Sequence, residues 1–185
     1  MTDIYLDSFV DLALNVSNDK LTDPESIWLL GRRVALSDVQ TETRKLVWVT
    51  YRCNFPQIGN SSKTNDAGWG CMLRTAQMMI ATGLLKHYNR IHKAGNNEMG
   101  SDIYRSIILW FGDAPDYVYS IHNLVEEGGR MGKRYGEWFG PSSVCQALTR
   151  IKMTSHHTSK GRSIKLYLAQ DGTIYRDQVE ALQTD

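Results

Sequence analysis

A short segment of the chain, residues 68–74, has the composition of a nucleophilic site: Gly-Trp-Gly-Cys-Met-Leu-Arg. Glycines precede Cys71 and a helical, mostly apolar stretch follows it, so a loop would deliver the cysteine to the first turn of a buried helix. Cysteine attacks as a thiolate, and a free cysteine has a pKa of about 8.5. A helix N-terminus favours an anion through its unpaired N–H groups and the positive end of its dipole. The segment is therefore suited to acyl transfer at Cys71.

The residues around Cys71 would complete such a site. Gly68 and Gly70 have no side chains, so a substrate backbone could approach the sulfur closely. The neighbouring main-chain N–H groups are placed to stabilise an oxyanion. The alternative interpretation is packing, because free cysteine is among the most buried residue types. Packing is the preferred interpretation for Cys53 and Cys145, which lack the loop-to-helix setting.

The pattern along the chain predicts helices first and strands late, which indicates an α+β fold with an incomplete sheet. Ser37 and Gln40 form a capping-box pattern for one helix. The starts of three others are marked by Ser101 with Asp102, by Ser120 and by Pro141. The predicted elements are a strand or buried extended piece at 26–31, a helix from 38 towards 48, a loop at 54–68, helices at 71–85, 101–111, 121–128 and 141–151, strands at 164–168 and 173–175 joined by a turn at Asp171-Gly172, and the start of a further helix. Residues 1–22 are predicted to be an acidic, amphipathic arm, and residues 23–185 to be part of one larger domain.

The composition excludes several classes of function. The 185 residues are 42% hydrophobic and 22% charged, as expected of a soluble globular protein with a real core. Lys plus Arg minus Asp plus Glu is 21 − 20 = +1, which gives no reason to expect nucleic acid as a partner. No signal peptide or membrane span is recognisable. Three cysteines argue against a disulfide framework and favour a reducing compartment, so cytoplasmic localisation is predicted. No motif indicates a metal or a cofactor.

Five segments together resemble the autophagy-related protein 4 family, the autophagins, which are papain-like cysteine proteases. The run from Gly68 to Arg74 resembles the nucleophile signature of that family. The other four segments appear in the family's order, namely residues 28–32, 49–59, 119–122 and 136–142. The resemblance implies a papain-like fold, of which this chain would contain the helix-rich N-terminal part and the first strands of the sheet.

The resemblance also implies a reaction and a partner. Autophagins cleave the ubiquitin-like autophagy-related protein 8 after a glycine near its C-terminus and release it from phosphatidylethanolamine. Both steps are acyl transfers through a thioester, in which a histidine moves the proton and an aspartate orients the histidine. Cys71 matches the nucleophile, Tyr51 the tyrosine that supports the oxyanion, and Trp138 the tryptophan that covers the glycine channel. Considered without the family, Tyr51 and Trp138 would be assigned to core packing.

The chain departs from the family pattern in one important respect. The family's catalytic aspartate and histidine belong to an Asp-x-His motif, and none of the five histidines of this chain lies in such a triplet. The expectation is a fragment, a truncated gene model or a short isoform, in which the nucleophile is present without its base. The first hypothesis is therefore a cysteine endopeptidase whose N-terminal part alone is inactive. The alternative is a non-catalytic form that only binds the modifier.

A second contact with the modifier is predicted in the N-terminal arm. Residues 7–12, Asp-Ser-Phe-Val-Asp-Leu, resemble the acidic aromatic-x-x-aliphatic motif that adds a strand to the autophagy modifier. Phe9 and Leu12 would be the two anchoring side chains. The alternative is a helix face whose apolar residues pack on the domain.

Overall fold

The computed structural model describes residues 26–94, 100–151, 165–169 and 171–184. The chain divides after Val47 into two compact units. The predicted N-terminal arm, with Phe9 and Leu12, lies outside the described residues. Among the described residues, no helix is long and apolar enough to cross a membrane.

The first unit contains an antiparallel hairpin followed by a short helix. Strand β1 (Ser26–Leu29) pairs with β2 (Arg32–Ala35), and Trp28 lies opposite Arg33. The hairpin turn has positive φ angles of 48° at Leu30 and 77° at Gly31, as a two-residue primed turn requires. The strand predicted at this position is confirmed, although Trp28 is 75% exposed.

The helix that follows the hairpin is shorter than predicted. A 3₁₀ turn (Leu36–Asp38) leads into helix α1 (Val39–Arg44). The predicted capping box is wrong, because Ser37 lies within the 3₁₀ turn and its hydroxyl bonds to the Asp38 carboxylate instead. Asp38 occupies the N-cap position without a side-chain cap.

Helix α2 (Cys71–Ala94) is the centre of the second unit. It contacts α3 (Ser101–Leu109), α4 (Ile121–Arg130) and α5 (Pro141–Arg150), and α4 and α5 also contact each other. The side chains buried between these helices are mostly aliphatic: Leu73, Ala76, Ala81 and Leu84 of α2, Ile107 of α3, Ile121, Leu124 and Val125 of α4, and Val144, Ala147 and Leu148 of α5. The starts of these helices were predicted from their apolar faces with helical spacing, but α2 ends at Ala94, nine residues beyond its predicted end.

Two details of these helices differ from the prediction. Helix α2 is not buried on all sides. Its residue Met79 is 53% exposed, because the packed helices leave one face of α2 uncovered. Helix α3 is capped by Gly100, with Ser101 as its first residue, so the predicted serine cap is wrong. The other two starts are confirmed: the Ser120 hydroxyl accepts from the main chain of Asn123, and Pro141 is the first residue of α5.

The late strands are the main error of the sequence-based prediction. Residues 165–169 and 173–175 form no strand, and the sheet of the described residues is the β1–β2 hairpin. A strand needs the main-chain groups of a neighbouring strand, and the described residues offer none here. The turn at Asp171-Gly172 is present, and helix α6 (Arg176–Thr184) confirms the helix predicted to follow. The described residues thus form a helix-rich α+β structure with a small sheet.

Candidate active site

The loop before α2 places Cys71 at the first position of that helix. The main-chain carbonyl of Asp66 accepts from the N–H groups of Trp69, at 3.2 Å, and Gly70, at 2.8 Å. Gly68 has a φ of +83°, which glycine adopts without strain. The tight turn that results brings the chain into the helix at Cys71, and the thiol is exposed. The loop-to-helix arrangement predicted from the sequence is therefore present.

Gly70 is needed for close approach of the chain rather than for its φ angle. A Cβ atom at position 70 would lie 2.5 Å from Oδ2 and 2.6 Å from Cβ of Asp66. No side chain fits at these distances, so the residue before Cys71 packs directly against the Asp66 side chain.

Tyr51 lies beside Cys71, although twenty residues separate them in the sequence. Desolvation, the charge of Cys71, hydrogen bonding with Cys71 and the charge of Asp66 together raise the pKa of Tyr51 above its usual value. The phenol therefore keeps its proton at neutral pH and can donate it to an anion at this position. Tyr51 is 49% exposed, so it is not a core residue.

Trp138 also lies at the glycine loop. Its indole Nε1–H donates to the main-chain carbonyl of Gly68 at 2.6 Å, while the ring is 67% exposed. The structure thus brings Cys71, Tyr51 and Trp138 to the ends of one short loop. A role in core packing would require these side chains to be buried, and all three are exposed.

Trp138 is supported by the loop that joins α4 to α5. Lys133 donates to the Glu137 carboxylate at 2.9 Å and to the Trp138 carbonyl at 3.0 Å. The hydrogen bond from the Arg134 main chain and that from Lys133 lower the pKa of Glu137. Gly128 lets α4 approach this loop, since a Cβ there would lie 2.2 Å from Cζ of Phe139.

A network of charged residues beneath the site was missed by the sequence analysis. Arg74 is 2% exposed and donates from Nε to Asp66 at 2.7 Å and from Nη1 to Asp113 at 2.8 Å. Asp113 also accepts from Arg52 at 2.7 Å. Burial raises the pKa of Asp113, but the hydrogen bonds and charges of Arg52 and Arg74 outweigh it and hold that pKa below its usual range. Because Arg74 lies on the apolar helix α2, the sequence indicated that it would need buried acidic partners. The sequence did not identify which acidic residues these are.

The histidines with described side chains bond elsewhere. His122 is buried, with Nε2 at 2.7 Å from the Pro56 carbonyl and its ring against Phe55. His87 contacts the ring of Tyr88 within α2. Among the histidines whose side chains the structure describes, these contacts thus place neither His87 nor His122 against Cys71. It also contains no group of three or more His, Cys, Asp or Glu residues that could hold a metal ion.

Comparison with known proteins identifies the family. A family model, the peptidase C54 catalytic domain, matches residues 36–185. This chain belongs to the peptidase C54 family. The family is one of cysteine proteases, and curated relatives of the chain include cysteine protease ATG4B of Gallus gallus, which is 33% identical over 163 residues, covering 85% of this chain and 40% of the relative.

Two further relatives support the same assignment within the C54 family. Cysteine protease ATG4A of Bos taurus is 34% identical over 186 residues, which cover 96% of this chain and 42% of the relative. Cysteine protease ATG4C of Mus musculus is 31% identical over 192 residues, which cover 75% of this chain and 42% of the relative. The chain spans about two fifths of the length of the curated relatives it matches.

Proposed function

We propose that this chain supplies the nucleophile, the oxyanion donor and the channel cover of a papain-like cysteine endopeptidase that acts on a ubiquitin-like modifier in autophagy. The observation that carries the proposal is an exposed cysteine at the start of α2 with the Tyr51 phenol beside it. Membership of a cysteine protease family supports the same role for Cys71.

The chemistry follows from the positions of these groups. The Cys71 thiolate would attack the carbonyl carbon of the substrate's glycine, and the carbonyl electrons would move onto oxygen. The Tyr51 hydroxyl would donate a hydrogen bond to that oxyanion. Collapse of the intermediate breaks the C–N bond, and the amine leaves with a proton from a general acid, giving a thioester that water hydrolyses. Breaking an amide to phosphatidylethanolamine would proceed in the same way.

Trp138 and the glycine loop would select glycine at the cleaved bond. The indole Nε1–H donates to the Gly68 carbonyl at 2.6 Å, so the edge of the ring lies directly against the main chain of the glycine loop. A substrate residue without a side chain would pass beside this contact, whereas a larger one would have to break the bond from the indole to Gly68. We therefore assign substrate binding to Trp138. The motif in the N-terminal arm supports the same role for Phe9 and Leu12. The reaction would take place in the cytoplasm.

The general acid and base would come from outside these 185 residues, as the resemblance to the autophagins implies. A binding role without cleavage is the alternative if the protein lacks them. The deciding experiment measures cleavage of a modifier extended beyond its C-terminal glycine. The 185 residues alone should not cleave it measurably, since loss of one triad member costs several orders of magnitude in rate.

An extended protein, in which the chain is continued by the downstream part of a C54 relative, should cleave the same substrate. Cys71→Ala in the extended protein should abolish cleavage, and Cys145→Ala should not. Cleavage that survives Cys71→Ala would place the nucleophile elsewhere. Binding of the modifier without cleavage by the extended protein would favour the alternative.

A direct test of the thiol uses the chain as it is. Cys71 should react with iodoacetamide faster at neutral pH than Cys53 or Cys145, because only Cys71 lies at the start of a long helix. Cys53 is the matched control, since its thiol is also exposed. Mass-spectrometric labelling rates measure the difference, and equal rates for the three would count against the assignment.

A further inference from the structure

The buried carboxylate of Asp66 lies between the two segments that carry Tyr51 and Cys71. Asp66 is completely buried. Its Oδ1 accepts from the main-chain N–H of Arg52 at 2.6 Å, and Arg52 directly follows Tyr51. Its main-chain carbonyl accepts from the N–H of Gly70 at 2.8 Å, and Gly70 directly precedes Cys71. One residue therefore holds the sequence neighbours of both functional side chains.

Further contacts leave Asp66 little freedom to move. Its main-chain N–H donates to the Arg52 carbonyl at 3.2 Å, so Asp66 both donates to and accepts from this residue. The missing Cβ of Gly70 lets the Asp66 side chain pack directly against the main chain before α2. The distance between residues 52 and 70 is thus set by one short, rigid side chain.

A ring of charges fixes the orientation of the Asp66 carboxylate. Oδ2 of Asp66 accepts from Arg74, which also donates to Asp113. Asp113 accepts in turn from the side chain of Arg52, whose main-chain N–H already bonds to Asp66. The ring holds two positive and two negative groups, so its formal charges sum to zero.

We propose that Asp66 is a positioning residue that holds the Tyr51 hydroxyl beside the Cys71 sulfur, through Arg52 on one side and Gly70 on the other. The ring of Arg74, Asp113 and Arg52 keeps the Asp66 carboxylate in place. The inference rests on the proposed role of Cys71 as nucleophile. Asp66 touches neither substrate nor the reacting atoms in this scheme and acts only through the two residues it holds.

Positioning and simple electrostatics predict opposite results when the charge of Asp66 is removed. If Asp66 were only a negative charge near the thiol, Asp66→Asn would make the surroundings more positive and favour the thiolate. The labelling rate of Cys71 at neutral pH would then rise. If Asp66 positions the start of α2 and Tyr51, the same change loosens the groups that stabilise the thiolate. The labelling rate would then fall.

The first experiment compares Asp66→Asn with Asp113→Asn in the 185-residue chain. Iodoacetamide labelling of Cys71 is followed at neutral pH, with Cys145 on α5 as the internal reference. In Asp66→Asn the labelling rate of Cys71 should fall several-fold relative to that of Cys145, because the start of α2 and the Tyr51 hydroxyl are no longer held beside the sulfur.

Asp113→Asn is the matched control. It removes a charge from the same ring, but the hydrogen bonds of Asp113 go to the side chains of Arg52 and Arg74 and not to the main chain beside Tyr51 or Cys71. It should lower the melting temperature but slow the labelling of Cys71 much less than Asp66→Asn does, because Asp66 keeps its bonds to the Arg52 main chain, to Arg74 and to Gly70. A merely structural role for Asp66 would give the same pattern in both variants.

A second pair of variants tests the contact without changing any charge. Gly70→Ala would press a methyl group against the Asp66 side chain, whereas Gly83→Ala adds a methyl group on the same helix where nothing lies within 4 Å. Gly70→Ala should slow the labelling of Cys71, as Asp66→Asn does. Gly83→Ala should leave the labelling rate unchanged.

The outcomes separate this proposal from the proposed function. A native Cys71 that labels no faster than Cys53 would overturn both, since no activated thiol would exist to position. A fast native Cys71 whose labelling rate is unchanged or raised by Asp66→Asn and Gly70→Ala would overturn only the role of Asp66. The role of Asp66 is also overturned if both variants lose the near-ultraviolet circular dichroism of the folded chain, because Asp66 would then serve folding alone.

Discussion

Two regions differ in burial and in the range of their side-chain bonds: the loop and helix around Cys71, and the segment from residue 165 to 184. Around Cys71, the side chains of Asp66, Leu73 and Gln77 are completely buried, and that of Arg74 nearly so. Arg74 bonds to Asp113 across 39 residues and Gln77 to the Tyr119 carbonyl across 42. In the later segment no residue with a described side chain is buried. Its side-chain bonds are local, such as those of Tyr167 with Gln178 and of Tyr175 with Asp171.

The difference shows which elements this chain can complete with its own residues. A helix satisfies its main-chain groups internally, so α2 needs only apolar neighbours, which α3, α4 and α5 provide. A strand needs another strand beside it, and residues 165–169 have none among the described residues. The first region therefore contains an organised candidate site, whereas the second has the alternating pattern of a strand without forming one.

The largest expected effect comes from breaking the charged ring. Arg74→Met should lower the free energy of unfolding by about 3–5 kcal/mol, because it leaves Asp66 buried without its cation. Urea denaturation followed by circular dichroism measures this. The control is Arg134→Met, whose side chain is 90% exposed and should leave the midpoint unchanged. A small loss for Arg74→Met would mean that the ring contributes little to this region.

Alkaline pH should lower the free energy of unfolding through ionisation of Tyr119. Burial raises the pKa of Tyr119 from 10.0 to about 12, so the unfolded chain releases this proton first. Stability is then complete below about pH 10 and declines as the pH rises to about 12, by about 2–3 kcal/mol for two pKa units. Tyr119→Phe should remove this part of the decline. Chemical denaturation at pH 9 and pH 11 compares the two proteins, and an equal decline in both would contradict the assignment.

The cap of α4 should have a smaller effect. Ser120→Ala removes the acceptor for the main-chain N–H of Asn123 and should cost about 1 kcal/mol. Ser142→Ala is the control, since Ser142 lies within the first turn of α5, where no side chain caps the helix. If both variants melt at the same temperature, the cap does not contribute.

The smallest effect is expected in the later segment. Leu182→Ala should change the free energy of unfolding by less than about 0.5 kcal/mol, as is usual for substitutions away from a packed core. Leu124→Ala in α4 should cost about 2–5 kcal/mol, because that side chain is completely buried. Comparable losses at the two positions would show that the later segment is packed as firmly as the helices, and the contrast between the two regions would disappear.

Helix positions and the candidate nucleophile were accessible from the sequence, whereas tertiary contacts were not. The glycines before Cys71 and the apolar spacing after it predicted the loop and the start of α2. The capping box at Ser37 failed because the chain forms a 3₁₀ turn there and the Ser37 hydroxyl donates to the Asp38 carboxylate. The prediction of the late strands failed because alternating apolar and polar residues show only which face a strand would bury. This pattern does not supply the neighbouring strand with which it must pair.

The sequence by itself determined that a cysteine opens a long helix, because glycine conformation and apolar spacing both act within a few residues. Only the tertiary structure decided what surrounds that cysteine. Arg52 reaches Asp113 across 61 residues and Arg74 reaches it across 39, and the sequence pattern does not encode which of many acidic residues each will meet. That choice depends on how α2 packs on α3 and α4, since burial leaves each buried charge only the partners that packing brings within reach.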